Sequence, residues 1–348
     1  MLKRNPVSIP APGVFCRRER LYRTETIQNR RNSVMIRIGL DIGGTGIKLG
    51  LVNEQGQILR KSSIETRTDI SFQEQVLAMV NATKALLDAQ GVSLDDIHSI
   101  GAGVPGIADP RTGEVIFCTN LGWNHVPFRS TFQQYINKPV YIDNDATVAG
   151  LAESVAGISK GTSSSVFLTL GTGVGAGIII NGRIWSGAHG VGSEVGHAIL
   201  ELDGEPCSCG NHGCVERYCS ATAIIRMARE LLVYHPESAI MKACGENLDN
   251  VNAKMVFDAA RELDPIGLKV FNRYVSNLGQ AIASLCNILD PEMVVLGGGV
   301  SRAGEYLIDA VRREYPKYML YKDMPMPSVE LAVLGADAGI IGASMLGD

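Results

Sequence analysis

The sequence predicts an α/β protein of duplicated architecture, two halves built alike with a cleft between them. Three observations carry this. A strand–glycine turn–strand unit at residues 36–52 returns at 165–180, about 130 residues later, with Thr172 in the second turn where Thr45 stands in the first. A short apolar strand runs into the acidic residues Asp143 and Asp145 and hands over to a helical segment, the position where α/β sheets collect ligands. A further apolar strand at Met293–Leu296 ends in three glycines.

At 348 residues the chain is long enough for two hydrophobic cores. Its 45% hydrophobic and 20% charged residues are ordinary for a globular protein, and no apolar run approaches the roughly 20 residues of a membrane-spanning helix. Charge is uneven. Residues 1–34 hold eight Lys and Arg against Glu19 and Glu25, a formal +6, so residues 35–348 carry −10 within the total of −4. An acidic body lacks the basic face that a nucleic-acid footprint needs. The basic leader lacks the apolar stretch of a secretory signal and reads either as a disordered extension or as upstream sequence, with Met35 opening the domain. Eight cysteines without a secretion signal fit a reducing, cytoplasmic compartment better than a disulfide scaffold.

Taken in order, Ile36–Val52 reads as a strand, a glycine turn carrying Asp41 and Thr45, and a second strand; after a turn at Asn53–Gly56, Gln57–Ser63 completes an antiparallel meander. The bare N–H groups of the glycine turn, with Thr45, could cradle a phosphate, and Asp41 could hold a magnesium shell. It is not a Walker loop, which needs a helix and a Gly-Lys-Ser/Thr ending. Residues 71–90 have helical spacing, and Ile97–Val104 reads as a strand. Trp123, after Asn120-Leu121-Gly122, is either core or a surface on which a sugar stacks. Asp145 sits where the strand Pro139–Ile142 gives way to the small, apolar helix Ala146–Ala156, and there it could accept a hydroxyl proton as a general base. The alternative is that Asp143 or Asp145 caps that helix. In the second unit, Ser165–Leu170 and Ala176–Ile180 flank Gly171-Thr172-Gly173-Val174-Gly175. Two phosphate-cradling turns facing each other across a cleft would hold a polyphosphate, so the pair points to a nucleotide. Helical period returns at Ala221–Leu232, Ala253–Leu263 and Pro265–Leu289. Gly297-Gly298-Gly299 offers bare backbone to a flat base, and Leu334–Gly339 opens a final helix whose small residues allow close packing.

The stretch from His189 to Glu216 contains Cys207-x-Cys209-x4-Cys214 with an upstream His, a set of soft and borderline ligands that suits tetrahedral zinc. Three thiolates and one imidazole leave no open position for a reacting water, so such a metal is structural and fixes the chain around Glu194, His197 and Glu216. Three buried free thiols in a turn are the alternative.

Asp41-Ile-Gly-Gly-Thr45, Leu170-Gly-Thr-Gly-Val-Gly175, Gly190–His197 and Cys207-x-Cys-Gly-x-x-Gly-Cys-x-Glu-x-x-x-Ser220 resemble the ROK family (repressors, open reading frames, sugar kinases), and within it the bacterial glucokinases, over about residues 35–348. The resemblance implies an actin-like ATPase (ribonuclease H-like) fold of two α/β domains flanking an active-site cleft, a small one of residues 35–147 with a C-terminal helix at about 334–348 and a large one of 148–333 carrying the zinc loop. It implies ATP, magnesium and a structural zinc, a homodimer or homotetramer, and phosphorylation of a hexose at the 6-hydroxyl, glucose first. By position it implies Asp145 as catalytic base. Asn144, Glu194, His197 and Glu216 correspond to sugar ligands, and His197, Cys207, Cys209 and Cys214 to the zinc set. Asp41, Gly43, Gly44, Thr45 and Lys48, then Gly171, Thr172, Gly173 and Gly175, correspond to the two phosphate motifs, and Gly298 and Gly299 to the adenosine motif. Two positions depart from the family pattern: Gly192-Ser193-Glu194 replaces Ala-Gly-Glu, and Thr147 replaces an Asn after Asn144-Asp145-Ala146. Kinases for N-acetylmannosamine, N-acetylglucosamine, allose or fructose share these motifs. So do sugar-responsive repressors, which need a DNA-binding segment that a leader with Pro6, Pro10 and Pro12 does not supply.

Overall fold

The structure, a computed structural model, describes residues 35–347; the basic leader lies outside them. The first half runs β1 (Ile36–Ile42), β2 (Gly46–Asn53), β3 (Ile58–Glu65), α1 (Phe72–Gln90), β4 (Ile97–Val104), β5 (Ile107–Asp109), β6 (Glu114–Cys118), β7 (Trp123–Val126), α2 (Phe128–Gln133) and β8 (Val140–Asn144). Then α3 (Asp145–Ala156) crosses to β9 (Ser164–Leu170), β10 (Val174–Ile180) and β11 (Arg183–Ile184). After the cysteine loop come α4 (Glu216–Cys219), α5 (Ala221–Leu232), α6 (Ala239–Ala243), α7 (Ala253–Arg261), α8 (Pro265–Leu289), β12 (Met293–Gly297), α9 (Glu305–Glu314), β13 (Ser328–Leu331) and α10 (Ala338–Ser344).

The predicted duplication is real at the level of topology. One five-stranded sheet has the order β3-β2-β1-β4-β8 and the other β11-β10-β9-β12-β13. In both, the glycine hairpin is antiparallel and its first strand pairs in parallel with the next strand inward. A small antiparallel sheet, β5-β6-β7, is inserted in the first half.

Each sheet has its own core. Ile38, Leu40, Leu49, Val76, Met79, Ile100 and Phe128 centre the first; Val166, Leu168, Ile224, Phe257, Tyr274, Ile282 and Leu296 centre the second. Trp123 belongs to the first core. It is 3% exposed, packs edge-on to Phe72, and donates its indole N–H to Gln75 Oε1 at 3.0 Å, so it is not a sugar-stacking surface.

Helices α3 and α10 fill the space between the sheets, with Val52, Leu151, Ile179 and Ile340 meeting there. Glycine makes this layer possible. A Cβ on Gly101 would lie 1.7 Å from Ala343 O, one on Gly39 1.9 Å from Ile340 O, and one on Gly342 1.9 Å from Val148 O. The small residues at the final helix therefore serve close packing. No helix among the described residues is long and apolar enough to cross a membrane.

Candidate active site and cysteine loop

Asp145 is the first residue of α3, directly after β8. The cap of that helix is Asn144, not either of the flanking aspartates. Its Oδ1 accepts from the N–H groups of Ala146 and Thr147 at 2.9 and 3.3 Å, and its Nδ2 donates to Gly106 O at 2.9 Å. One amide hydrogen of Asn144 is left for the cleft. Thr147, the departure from the family pattern, is buried and takes part through its backbone N–H.

Asp145 is exposed to the solvent of the cleft, with the cleft walls crowding its carboxyl. Its Oδ1 accepts from Ala146 N–H at 2.8 Å, which leaves Oδ2 unengaged by that bond. Thinned solvation from this crowding pushes its pKa up to about 6, and the negative charges of Asp41 and Glu194 push the same way against the pull of the Ala146 N–H. Those two carboxylates come from opposite sides: Asp41 from the end of β1, Glu194 from the loop after β11. Burial also raises Glu194, as does Glu216, while His197 lowers it. Asp143 is buried, accepts from Asn144 N–H at 2.7 Å, and is raised to about 6 by desolvation.

The cleft holds about 490 Å³ and is lined by Asp41, Lys48, Asp145, Gly297, Gly298 and Gly299, with Arg302 at its edge. Hollows of similar size occur elsewhere, about 510 Å³ beside Tyr218 and Arg226 and about 600 Å³ beside Asn287 and Leu320. Volume therefore does not select the site; converging carboxylates and glycine turns do. Gly298 has φ +85°, and a Cβ there would stand 2.6 Å from the Leu170 backbone, so only glycine fits. Arg302 was not anticipated from sequence, since a lone arginine after a glycine run carries no local pattern.

The first turn places Gly43, Thr45 and Lys48 around a second recess beside Asp41, with Gly44 packed toward Asn120. Lys48 Nζ pairs with Asp41 Oδ2 at 2.9 Å. The second turn is tied down on both sides. Ala221 N–H donates to Gly171 O at 2.8 Å, the Thr222 hydroxyl donates to Thr172 O, and Val174 N–H donates to Glu216 Oε2 at 3.0 Å. Gly173 permits that last contact, because a Cβ would sit 2.2 Å from Glu216 Oε2, and Gly175 lies against Ala146 beside Asp145.

The cysteine loop gathers as expected. The ligand atoms of His197, Cys207, Cys209 and Cys214 all lie within 4.8 Å of one another. Cys207 Sγ is 3.7 Å from His197 Nδ1 and Cys209 Sγ is 3.6 Å from Cys214 Sγ. Those are close to the edges of a tetrahedron about a zinc with bonds of about 2.0–2.3 Å. The three thiols are free of disulfides. Burial, with its thiol neighbours adding to it, pushes Cys214 up to about 12, whereas the backbone N–H of Asn211 holds Cys209 down. Only a dication would let all three ionise side by side. With Nδ1 facing the thiols, His197 keeps Nε2 as its other polar atom. Ser193, the second departure from the family pattern, adopts φ +75° and donates its hydroxyl to Trp185 O at 2.9 Å, holding a side chain where the backbone favours glycine.

Two sheets of one topology, joined through α3 and α10 and opening on a cleft lined by glycine turns, are the architecture of the actin-like ATPases. The chain belongs to the ROK family, whose profile matches residues 37–348. It is 36% identical over 310 residues to the glucokinase of Halalkalibacterium halodurans, covering 89% of this chain and 94% of that one. It is 35% identical over 310 residues to the Thermotoga maritima glucokinase, covering 89% and 96%. A ROK family glucokinase from Streptomyces griseus, solved in complex with glucose and AMPPNP, is 32% identical, matches 89% of this chain and 98% of its own, and superposes with a TM-score of 0.74.

Proposed function

We propose that this chain transfers the γ-phosphoryl group of ATP to the 6-hydroxyl of a hexose, glucose above others. The observation that carries the reading is Asp145, a carboxylate with a raised pKa, set between Asp41 on the phosphate side and Glu194 on the sugar side. Asp145 Oδ2 takes the proton of the 6-hydroxyl as that oxygen bonds the γ-phosphorus and ADP leaves. Glu194, His197 Nε2, Glu216 and the remaining amide hydrogen of Asn144 orient the other hydroxyls. The turns Gly43–Thr45 and Gly171–Gly175 present N–H groups to the phosphates, and Gly298 and Gly299 lie under the nucleoside. Phosphoryl transfer asks of a protein mainly position and charge neutralisation, and this arrangement supplies both. Magnesium, when bound, neutralises the phosphate oxygens, and Asp41 is the carboxylate placed to hold its water shell. Zinc suits the His197–Cys214 set, where it would keep Glu216 and His197 at the cleft wall.

A coupled ADP-release assay over a panel of hexoses and N-acetylhexosamines tests the substrate. The expected kcat/KM for glucose is at least about tenfold above each acetylated sugar, since an added group that a pocket does not accommodate is rejected by about that much or more. A flat panel with sugar still binding by calorimetry would sink the kinase reading in favour of a sensor.

The same assay has a pH signature. A raised carboxylate pKa means that Asp145 keeps its proton up to about pH 6, and only the ionised form accepts another. We expect kcat/KM to be flat above that value and to fall about tenfold per pH unit below it. A profile unchanged down to pH 5 would place the ionisation of Asp145 in the working site below that range and contradict a raised carboxyl there.

A further inference from the structure

A second acidic residue of α3 has a role that the proposed chemistry does not use. Glu153 is 0% exposed, near the carboxyl end of that helix, and makes no ion pair among the described residues. Backbone groups satisfy its carboxyl oxygens instead. Oε1 accepts from the N–H groups of Val333 and Leu334 at 3.0 and 2.9 Å, and Oε2 accepts from Ile158 N–H at 2.9 Å. A buried carboxylate satisfied by oriented N–H donors is a strong, directional tie.

The place of these donors gives the tie its meaning. Among the described residues the chain passes between the two sheets twice, outward through α3 and back through residues 332–337 into α10. Glu153 belongs to the first crossing, and Val333 and Leu334 to the second. Ile158 opens the turn that leads from α3 into β9. One side chain therefore fastens both crossings at a single point. Gly157 allows it, since a Cβ there would stand 2.0 Å from Glu153 Oε2.

Each crossing ends at a group of the proposed site. Eight residues up α3 from Glu153, about 12 Å along the axis, stands Asp145. Just beyond Leu334, Ala336 O accepts from Lys48 Nζ at 3.5 Å, and Gly339 backs Asp41, where a Cβ would lie 2.5 Å from the carboxyl carbon. We infer that Glu153 is a positioning residue: by fastening the two crossings it sets the first sheet, whose strand ends carry Asp145, Asp41 and Lys48, against the second, whose strand ends carry the turn at Gly171–Gly175 and Gly298. The sugar hydroxyl and the γ-phosphate then meet in line. This inference rests on the kinase reading above. It predicts that loosening the tie leaves sugar and nucleotide each able to bind while their reaction slows.

Glu153→Gln tests it, because the amide keeps one acceptor for the 333–334 N–H groups but turns an N–H toward that of Ile158. We expect kcat for sugar phosphorylation to fall about 10- to 100-fold, the scale of a misplacement near 1 Å, with KM for sugar and for ATP within about threefold of the parent. Sugar-independent ATP hydrolysis should hold or rise. A kcat within about twofold of the parent, or a loss shared equally by kcat and both KM values, would overturn the inference while the active parent upholds the kinase reading. A parent inactive on every sugar overturns both. If the amide variant does not fold, Glu153→Asp, which keeps the charge but shortens the reach, must show the same split, and parental kcat there is likewise decisive against it.

Discussion

Asp145→Ala is expected to lower kcat for sugar phosphorylation by about 10²- to 10⁴-fold, the range a positioned general base contributes. Binding should survive. The helix keeps its cap, because Asn144 Oδ1 accepts from the N–H groups of both Ala146 and Thr147, and the bond from Ala146 N–H to Asp145 is a second one to the same donor. Glu194, His197 and Glu216, the proposed sugar ligands, are left in place. The direction of the stability change follows from the raised pKa: at neutral pH the ionised Asp145 is disfavoured in the folded chain by the crowding cleft walls and by Asp41 and Glu194. Removing it relieves that repulsion, so Tm should hold or rise. Steady-state kinetics, calorimetry with sugar and a thermal melt together check this. A variant with near-parental kcat would dismiss Asp145 as base. One that loses sugar binding and kcat in proportion would make it a ligand only.

Cys214→Ser is expected to have a large effect of the opposite signature, on KM and not on kcat. Cys214 is fully buried and two residues before Glu216, whose Oε2 holds Val174 in the second glycine turn. Losing a thiolate from a four-ligand site should take bound zinc, measured by elemental analysis, from about one per chain to well below it. Free of the metal, the loop no longer holds His197 and Glu216 at the cleft. The sugar KM should then rise at least about tenfold, a supporting-residue effect of the usual size. Because Glu216 also ties down the second glycine turn, the proposed phosphate site, KM for ATP should rise too, by a smaller factor. Prolonged chelation of the parent protein should reproduce both changes and zinc should reverse them. Parental metal content with unchanged KM in Cys214→Ser would mean that the cluster is a packed set of thiols.

Motifs contained in a short stretch were legible before any coordinates. The glycine turns at Gly43–Thr45 and Gly171–Gly175 could be read because the residues that bend the chain and those that would touch a phosphate are neighbours in sequence. The cysteine loop was readable for the same reason, since ligands within 18 positions meet whenever the loop closes. Trp123 was not. Its alternatives differed only in which way an indole faces, and that was settled by Phe72 and Gln75, about 50 residues away. Nor was the cap of α3, where three adjacent polar residues could each have served and backbone geometry chose Asn144. Glu153 left one trace, an acidic residue on a helix otherwise small and apolar, with nothing local to say what would satisfy it.

The sequence by itself determined the two strand–glycine–strand units, the metal-ligand spacing and the strand-to-helix junction that carries Asp145, because short-range sterics and ligand chemistry act between residues already held close by the backbone. Only the tertiary structure decided that Asp41 and Asp145 line one cleft with Glu194 near enough for its charge to act on Asp145, that Glu216 grips the second glycine turn, and that Glu153 joins the two crossings. Those relations link residues about 40 to 180 positions apart. They depend on sheet register and on how closely α3 and α10 approach through glycine contacts, which no short window of the chain specifies.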